Sequence, residues 1–150
     1  MRNFLKLSGM LLILSIIPQA GIARENSDTT ALLQKCIELP DLQQFLTTVD
    51  NQSANPVVIM QHRVFFPAHI AVIISGERVD FMTKEQVYRL KPGAFFLFEE
   101  FSINGNRATV RYLFNYDYTP QGSYKIISVN AELVREGVSW TFEETKVERR

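Results

Sequence analysis

Between Ala94 and Glu148, four runs rich in aromatic and β-branched residues are separated by three turn signals, and this stretch restricts the fold more than any other. In Arg107 to Tyr118, residues Ala108, Val110, Tyr112, Phe114, Tyr116 and Tyr118 share one parity. Arg107, Thr109, Arg111, Asn115 and Asp117 share the other. Successive side chains of a strand point to opposite faces, so this run predicts a strand with one buried and one wet face. Asn104-Gly105-Asn106 predicts the hairpin before it, because Asn and Gly tolerate the positive φ of tight turns. Thr119-Pro120-Gln121-Gly122 and Glu136-Gly137 predict the two that follow. The result is an antiparallel, four-stranded meander.

Two stretches of the meander break the simple alternation. Ala94 to Phe98 is apolar on both parities, which requires either that both faces be covered or that the strand carry a bulge. In the last strand Val138, Trp140 and Phe142 share the inward parity, but Glu144 follows on it and Val147 lies on the other. Either the strand leaves the core after Phe142 or a bulge shifts its phase.

The opposite end of the chain reads as a targeting segment. Arg2 and Lys6 precede an apolar run from Gly9 to Ile17, and small residues lead to Ala23. The run is about half the ~20 residues that span a bilayer, so residues 1–23 are expected to be a cleaved export signal. The sole cysteine, Cys36, stands too far from Ala23 to be a lipoprotein cysteine and has no partner for an internal disulfide. Its neighbours Leu32, Leu33 and Ile37 predict a buried apolar role. Residues 24–150 are expected to form one domain. Without Arg2 and Lys6, the 16 basic residues fall slightly below the 16 acidic ones. Such a balance gives no footprint for nucleic acid or an anionic membrane.

Arg24 to Asp28 reads as a polar leader, with Asp28 or Thr29 capping a helix over Thr30 to Leu39. Pro40 interrupts it, and Leu42, Phe45, Leu46 and Val49 stripe a second helix. Asp50 to Pro56 reads as a loop. Val57 to Phe66 reads as an alternating strand that places His62 on the face of Val58, Met60, Val64 and Phe66. His69 to Ile74 and Val79 to Phe81 predict a short hairpin about Ser75-Gly76. Thr83 and Gln86 form a capping box for a two-turn helix that docks Val87 and Leu90. Helices first and strands last predict an α+β fold, with N-terminal helices packed on one face of a curved antiparallel sheet.

Chemistry is sparse. His62 and His69 lack metal-ligand spacing, so neither a metal nor a cofactor is expected. No nucleophile elbow or glycine-rich phosphate loop is present. Glu99 and Glu100 alternate faces, so one of them is expected on the buried side, partnered by Arg107, Arg111 or Tyr112. The pocket candidates are therefore His62, Glu99 and Tyr112, with Glu100 beside them.

The segments Leu-Gln-Lys-Cys-Ile-Glu-Leu-Pro-Asp-Leu, Ile-Met-Gln-His, Phe-Ser-Ile-Asn-Gly-Asn-Arg-Ala-Thr-Val and the closing Gly-x-x-Trp-x-Phe resemble those of small exported bacterial proteins of unknown function. In outline the chain is also similar to the cystatin-like and NTF2-like α+β rolls. That resemblance implies helices against a curved sheet. It supplies neither a catalytic Asp-His pair nor a Gln-x-Val-x-Gly inhibitory loop. The expectation is a periplasmic or secreted, non-enzymatic protein that binds a small molecule or another protein, or pairs with itself through the sheet face. A small-molecule or hydrolase-like pocket is the alternative.

Overall fold

The computed structural model describes residues 20–52 and 56–150. Residues 1–19, which carry most of the expected export signal, and part of the Asp50 to Pro56 loop lie outside the described residues. The chain forms an α+β structure in the order α1 (Ala20–Ile37), α2 (Pro40–Gln52), β1 (Val57–Gln61), β2 (Ile73–Ile74), β3 (Glu77–Arg78), β4 (Asp80–Thr83), α3 (Lys84–Leu90), β5 (Ala94–Asn104), β6 (Arg107–Tyr116), β7 (Lys125–Glu136) and β8 (Ser139–Arg149). One six-stranded sheet has the order β4-β1-β5-β6-β7-β8, and β2 pairs with β3 as a separate hairpin.

The meander β5 to β8 is antiparallel, as its hairpin signals require. The rest of the sheet corrects the expectation of a purely antiparallel arrangement, because β1 runs parallel to both β4 and β5. Parallel neighbours need a crossover connection. Residues 62–79 provide it between β1 and β4, and α3 carries the chain from β4 to β5.

The two N-terminal helices cover one face, called inner below. Leu32, Leu33, Cys36 and Ile37 of α1 and Leu42 and Leu46 of α2 share a core with Phe96, Phe98, Val110, Tyr112, Phe114, Ile127, Val129 and Leu133 of the meander. Pro40 opens α2, where its missing N–H costs no intrahelical bond. α1 starts earlier than expected, at Ala20, so Asp28 is not a cap. It lies within the helix and forms an ion pair with Arg135 of β7, both side chains being largely shielded from solvent. α2 also runs into the expected loop, ending at Gln52.

The segment after β1 is less regular than its apolar content implies. β1 stops at Gln61, and only Ile73 and Ile74 of the expected His69 to Ile74 strand pair. Gln34 of α1 holds this hairpin by donating to the Ile73 carbonyl at 2.8 Å and accepting from the Ile73 N–H at 2.9 Å. A side-chain amide thus satisfies the Ile73 backbone groups on the side that faces away from β3. Ser75 and Gly76 both have positive φ, 52° and 83°, as a type I′ hairpin turn requires. Phe66 anchors the segment in the inner core, edge-on to Phe98 and Phe101 at 5.3 and 5.1 Å between ring centroids.

On the outer face, α3 covers the parallel end of the sheet. Thr83 and Gln86 form the expected capping box, and Lys91 closes the helix in a left-handed conformation. Val87 packs on Val58, Met60 and Phe95, but Leu90, also expected to dock, is exposed. In the last hairpin Gly137 and Val138 are the loop residues rather than Glu136 and Gly137, because Glu136 pairs with Ser139. Val138, expected to face inward, therefore sits at the tip and is 91% exposed.

Candidate functional site

The candidate residues converge on the middle of β5, where the ladder to β6 shifts register between Phe98 and Glu100. One extra residue in a strand lets two neighbours leave the strict alternation. Phe96 and Phe98 face the core before the bulge, and Phe101 and Ile103 pack against it afterwards. Glu99 is the added residue. It is exposed and paired with Arg63 at 3.3 Å, while Glu100 pairs with Arg111 at 2.6 Å. The expectation that one of these carboxylates would sit on the buried side is thus corrected. The bulge turns the core-facing phase past both.

Tyr112 lies opposite Phe98 across the ladder and points into the core, where it is 1% exposed. Its hydroxyl donates to the Cys36 carbonyl at 2.7 Å. That carbonyl lies in the last turn of α1, where it also accepts from the Leu39 N–H at 3.4 Å. Tyr112 therefore ties the helix end to the sheet. Burial pushes its phenol well above the ordinary tyrosine range, with Cys36 and Asp41 adding in the same direction. Burial alone pushes the Cys36 thiol up to about 12, which leaves it protonated and unreactive.

His62 follows the last residue of β1 and is exposed, so it does not continue the apolar row of Val58 and Met60 as the longer strand implied. Its surroundings are polar. The Glu85 carboxyl at the start of α3 is held below its ordinary value chiefly by a backbone hydrogen bond, then by Thr83, and in smaller part by the charges of Lys84 and His62. Arg63 links this loop to Glu99. The structure thus brings His62 and Glu99 into one solvated neighbourhood and leaves Tyr112 on the other side of the sheet. No group of three or more His, Cys, Asp or Glu side chains fit to hold a metal ion occurs among the described residues.

A second group of polar residues, none of them marked by a local motif, lies on the outer face of β6, β7 and β8. Thr109, Arg111, Asn130, Ala131, Glu132, Glu144 and Lys146 line a shallow depression of about 270 Å³. The strand register explains it. Arg111, Asn130 and Lys146 form one cross-strand row, and Thr109, Glu132 and Glu144 form the next. The second register shift, between Glu132 and Leu133, makes Glu143 the added residue of β8 and returns Val147 to the inner phase, opposite Val129. It also sets Glu132 directly against Glu144. Like charges in that position repel, and the Thr109 hydroxyl donates to Glu132 at 3.0 Å beside them. Arg107 holds the bulged Glu143 through both carboxylate oxygens, at 2.5 and 3.2 Å. The polar parity of β6 predicts a wet face, but the pairing across β8 depends on a bulge that no turn signal marks.

Comparison of the chain with family models, with curated proteins and with solved structures finds no match.

Proposed function

We propose that this chain is an exported, non-enzymatic interaction protein that meets its partner through exposed sheet surface, without an internal pocket. The observation that carries this reading is the fate of Tyr112: the candidate best placed to line a cavity between helices and sheet is bonded to the α1 end and closed off by core residues. The exposed candidates, His62 and Glu99, stand at the surface rather than in a cavity that could enclose a substrate. What the molecule offers a partner is the charged outer face of β6 to β8. Export to the periplasm or beyond rests on residues 1–23. No helix among the described residues is long and apolar enough to cross a membrane.

The same reading places the fold among the cystatin-like or NTF2-like rolls. Supporting it are α1 packed on the antiparallel β5 to β8 and the two bulges, which bend strands where they occur. The alternative, a pocket enzyme or small-molecule carrier, is separable by experiment. Purified protein incubated with chromogenic ester, phosphoester and peptide substrates is expected to show no turnover. Turnover that disappears in His62→Ala or Glu99→Gln, with folding intact by circular dichroism, contradicts the proposal.

A further inference from the structure

The two edges of the sheet are unequal. β4 is four residues long, whereas β8 runs from Ser139 to Arg149 and, among the described residues, pairs only with β7. A long edge strand exposes a row of backbone donors and acceptors, and natural proteins commonly defend such an edge with charges and bulges. β8 has both, but its charges have an order that defence alone does not need. From Glu144 the strand reads Glu-Thr-Lys-Val-Glu-Arg-Arg. Read against its own reverse about Val147, Lys146 falls on Glu148, Glu144 on Arg150 and Thr145 on Arg149. Every acidic residue meets a basic one.

We propose that β8 is a self-recognition edge, through which two copies of this chain pair antiparallel over Glu144 to Arg150 about a two-fold axis at Val147. The backbone phase fits. The Arg150 N–H donates to the Ile126 carbonyl at 2.9 Å, so the backbone of Arg150 faces β7. Alternation along an antiparallel ladder then turns the N–H and C=O groups of Arg149, Val147 and Thr145 to the open side. In the proposed register these residues lie opposite one another, Val147 on Val147 and Thr145 on Arg149, so each exchanges both bonds with its counterpart. Glu144, Lys146, Glu148 and Arg150 are exposed on the outer face and form the charge pairs. Within one copy Lys146 already holds Glu148 at 2.8 Å, which pre-orders both side chains for the partner's pair.

Alternative registers are worse. A slip that moves the axis to Lys146 sets Lys146 on itself and Glu144 on Glu148. Moving it to Glu148 sets Glu148 on itself and Lys146 on Arg150. Like charges directly opposite destabilise a pair of strands. An axis at Thr145 keeps the match of Lys146 with Glu144 but drives Val147 against the bulge at Glu143. The bulge and the charges thus select one register, and the same charges discourage pairing with unrelated edges.

This inference does not depend on the binding reading above, and its test separates the two. Sedimentation equilibrium of the purified protein over a concentration series is expected to show a monomer–dimer equilibrium that weakens between about 0.1 M and about 1 M salt. Each substitution enters a two-fold interface twice. Lys146→Glu is therefore expected to raise the dimer dissociation constant at least about tenfold. The double variant Lys146→Glu with Glu148→Lys restores every pair and is expected to return the constant to within about threefold of the parent. Thr145→Pro removes an outward N–H that β7 does not use, so it is expected to abolish the dimer with the monomer's circular dichroism unchanged. A protein that stays monomeric throughout the series, a dimer indifferent to Lys146→Glu, or a double variant as weak as the single one overturns the proposal.

Discussion

The two ends of the same sheet are built on different terms. At the β1 and β5 end both faces are covered, the inner by α1, α2 and residues 62–79 and the outer by α3. There Val57, Val58, Ile59 and Met60 are all buried, as are Ala94, Phe95, Phe96 and Phe98. At the β6 to β8 end the outer face is largely open, and from Arg107 to Phe114 of β6 buried residues alternate with exposed or half-buried ones. The difference follows from topology. Parallel pairing forces crossover segments over the sheet, and those segments shield it, whereas tight hairpins cover nothing. Stability is therefore concentrated at one end, and surface free for a partner at the other.

The most severe way to break the covered end is Phe96→Ala. Phe96 has no exposed surface and packs on Phe98, Tyr112 and Phe114. Its removal is expected to cost about 3–5 kcal/mol in a denaturant titration. Next comes Tyr112→Phe, which leaves the Cys36 carbonyl without its phenol donor and is expected to cost about 1–2 kcal/mol by the same measurement. If Tyr112 lined a functional cavity, this variant would alter binding or turnover with little change in stability.

A smaller effect is expected in alkali. Tyr124, whose hydroxyl donates to the Pro92 carbonyl at 2.8 Å, is pushed up to about 12 by burial and, secondarily, by Tyr118. A raised phenol favours the folded state while it remains protonated. Its contribution is complete below the unfolded value near 10 and is lost as pH rises toward 12. Melting temperature is expected to fall over that window, and less steeply in Tyr124→Phe. At the wet end Thr109→Ala, which removes the hydroxyl beside Glu132, is expected to change stability by no more than about 0.5 kcal/mol. A large loss there would show that the outer face carries structural load.

These contrasts also explain which parts of the molecule were legible in the chain. The meander was, because Asn104-Gly105-Asn106 and the clean parity of β6 are local signals. The apolar stripes of α1 and α2 were also local. The parallel pairing of β1 was not, since the alternating pattern expected over Val57 to Phe66 points to a strand with one open face, whereas Val57 to Met60 is buried on both parities by partners β4 and β5 that lie far along the chain. The place of His62 is not legible either, because parity does not mark where a strand stops and β1 ends at Gln61. Strict alternation puts Glu99 and Glu100 on opposite faces, and the bulge after Phe98 supplies a third arrangement that no local signal marks. The bulge at Glu143 was visible only as an alternative, in the phase of Phe142 against Val147. The self-matching order of Glu144 to Arg150 has meaning only once β8 is known to be an edge.

Residue-resolved hydrogen exchange in dilute solution tests the contrast between the two ends most directly. The amides of Val58, Ile59 and Phe96 are expected to exchange only through global unfolding, and those of Thr145 and Val147, which face the open side of β8, to exchange close to the unprotected rate. Exchange of the β1 amides as fast as those of β8, at a concentration where the protein is monomeric, would contradict the account.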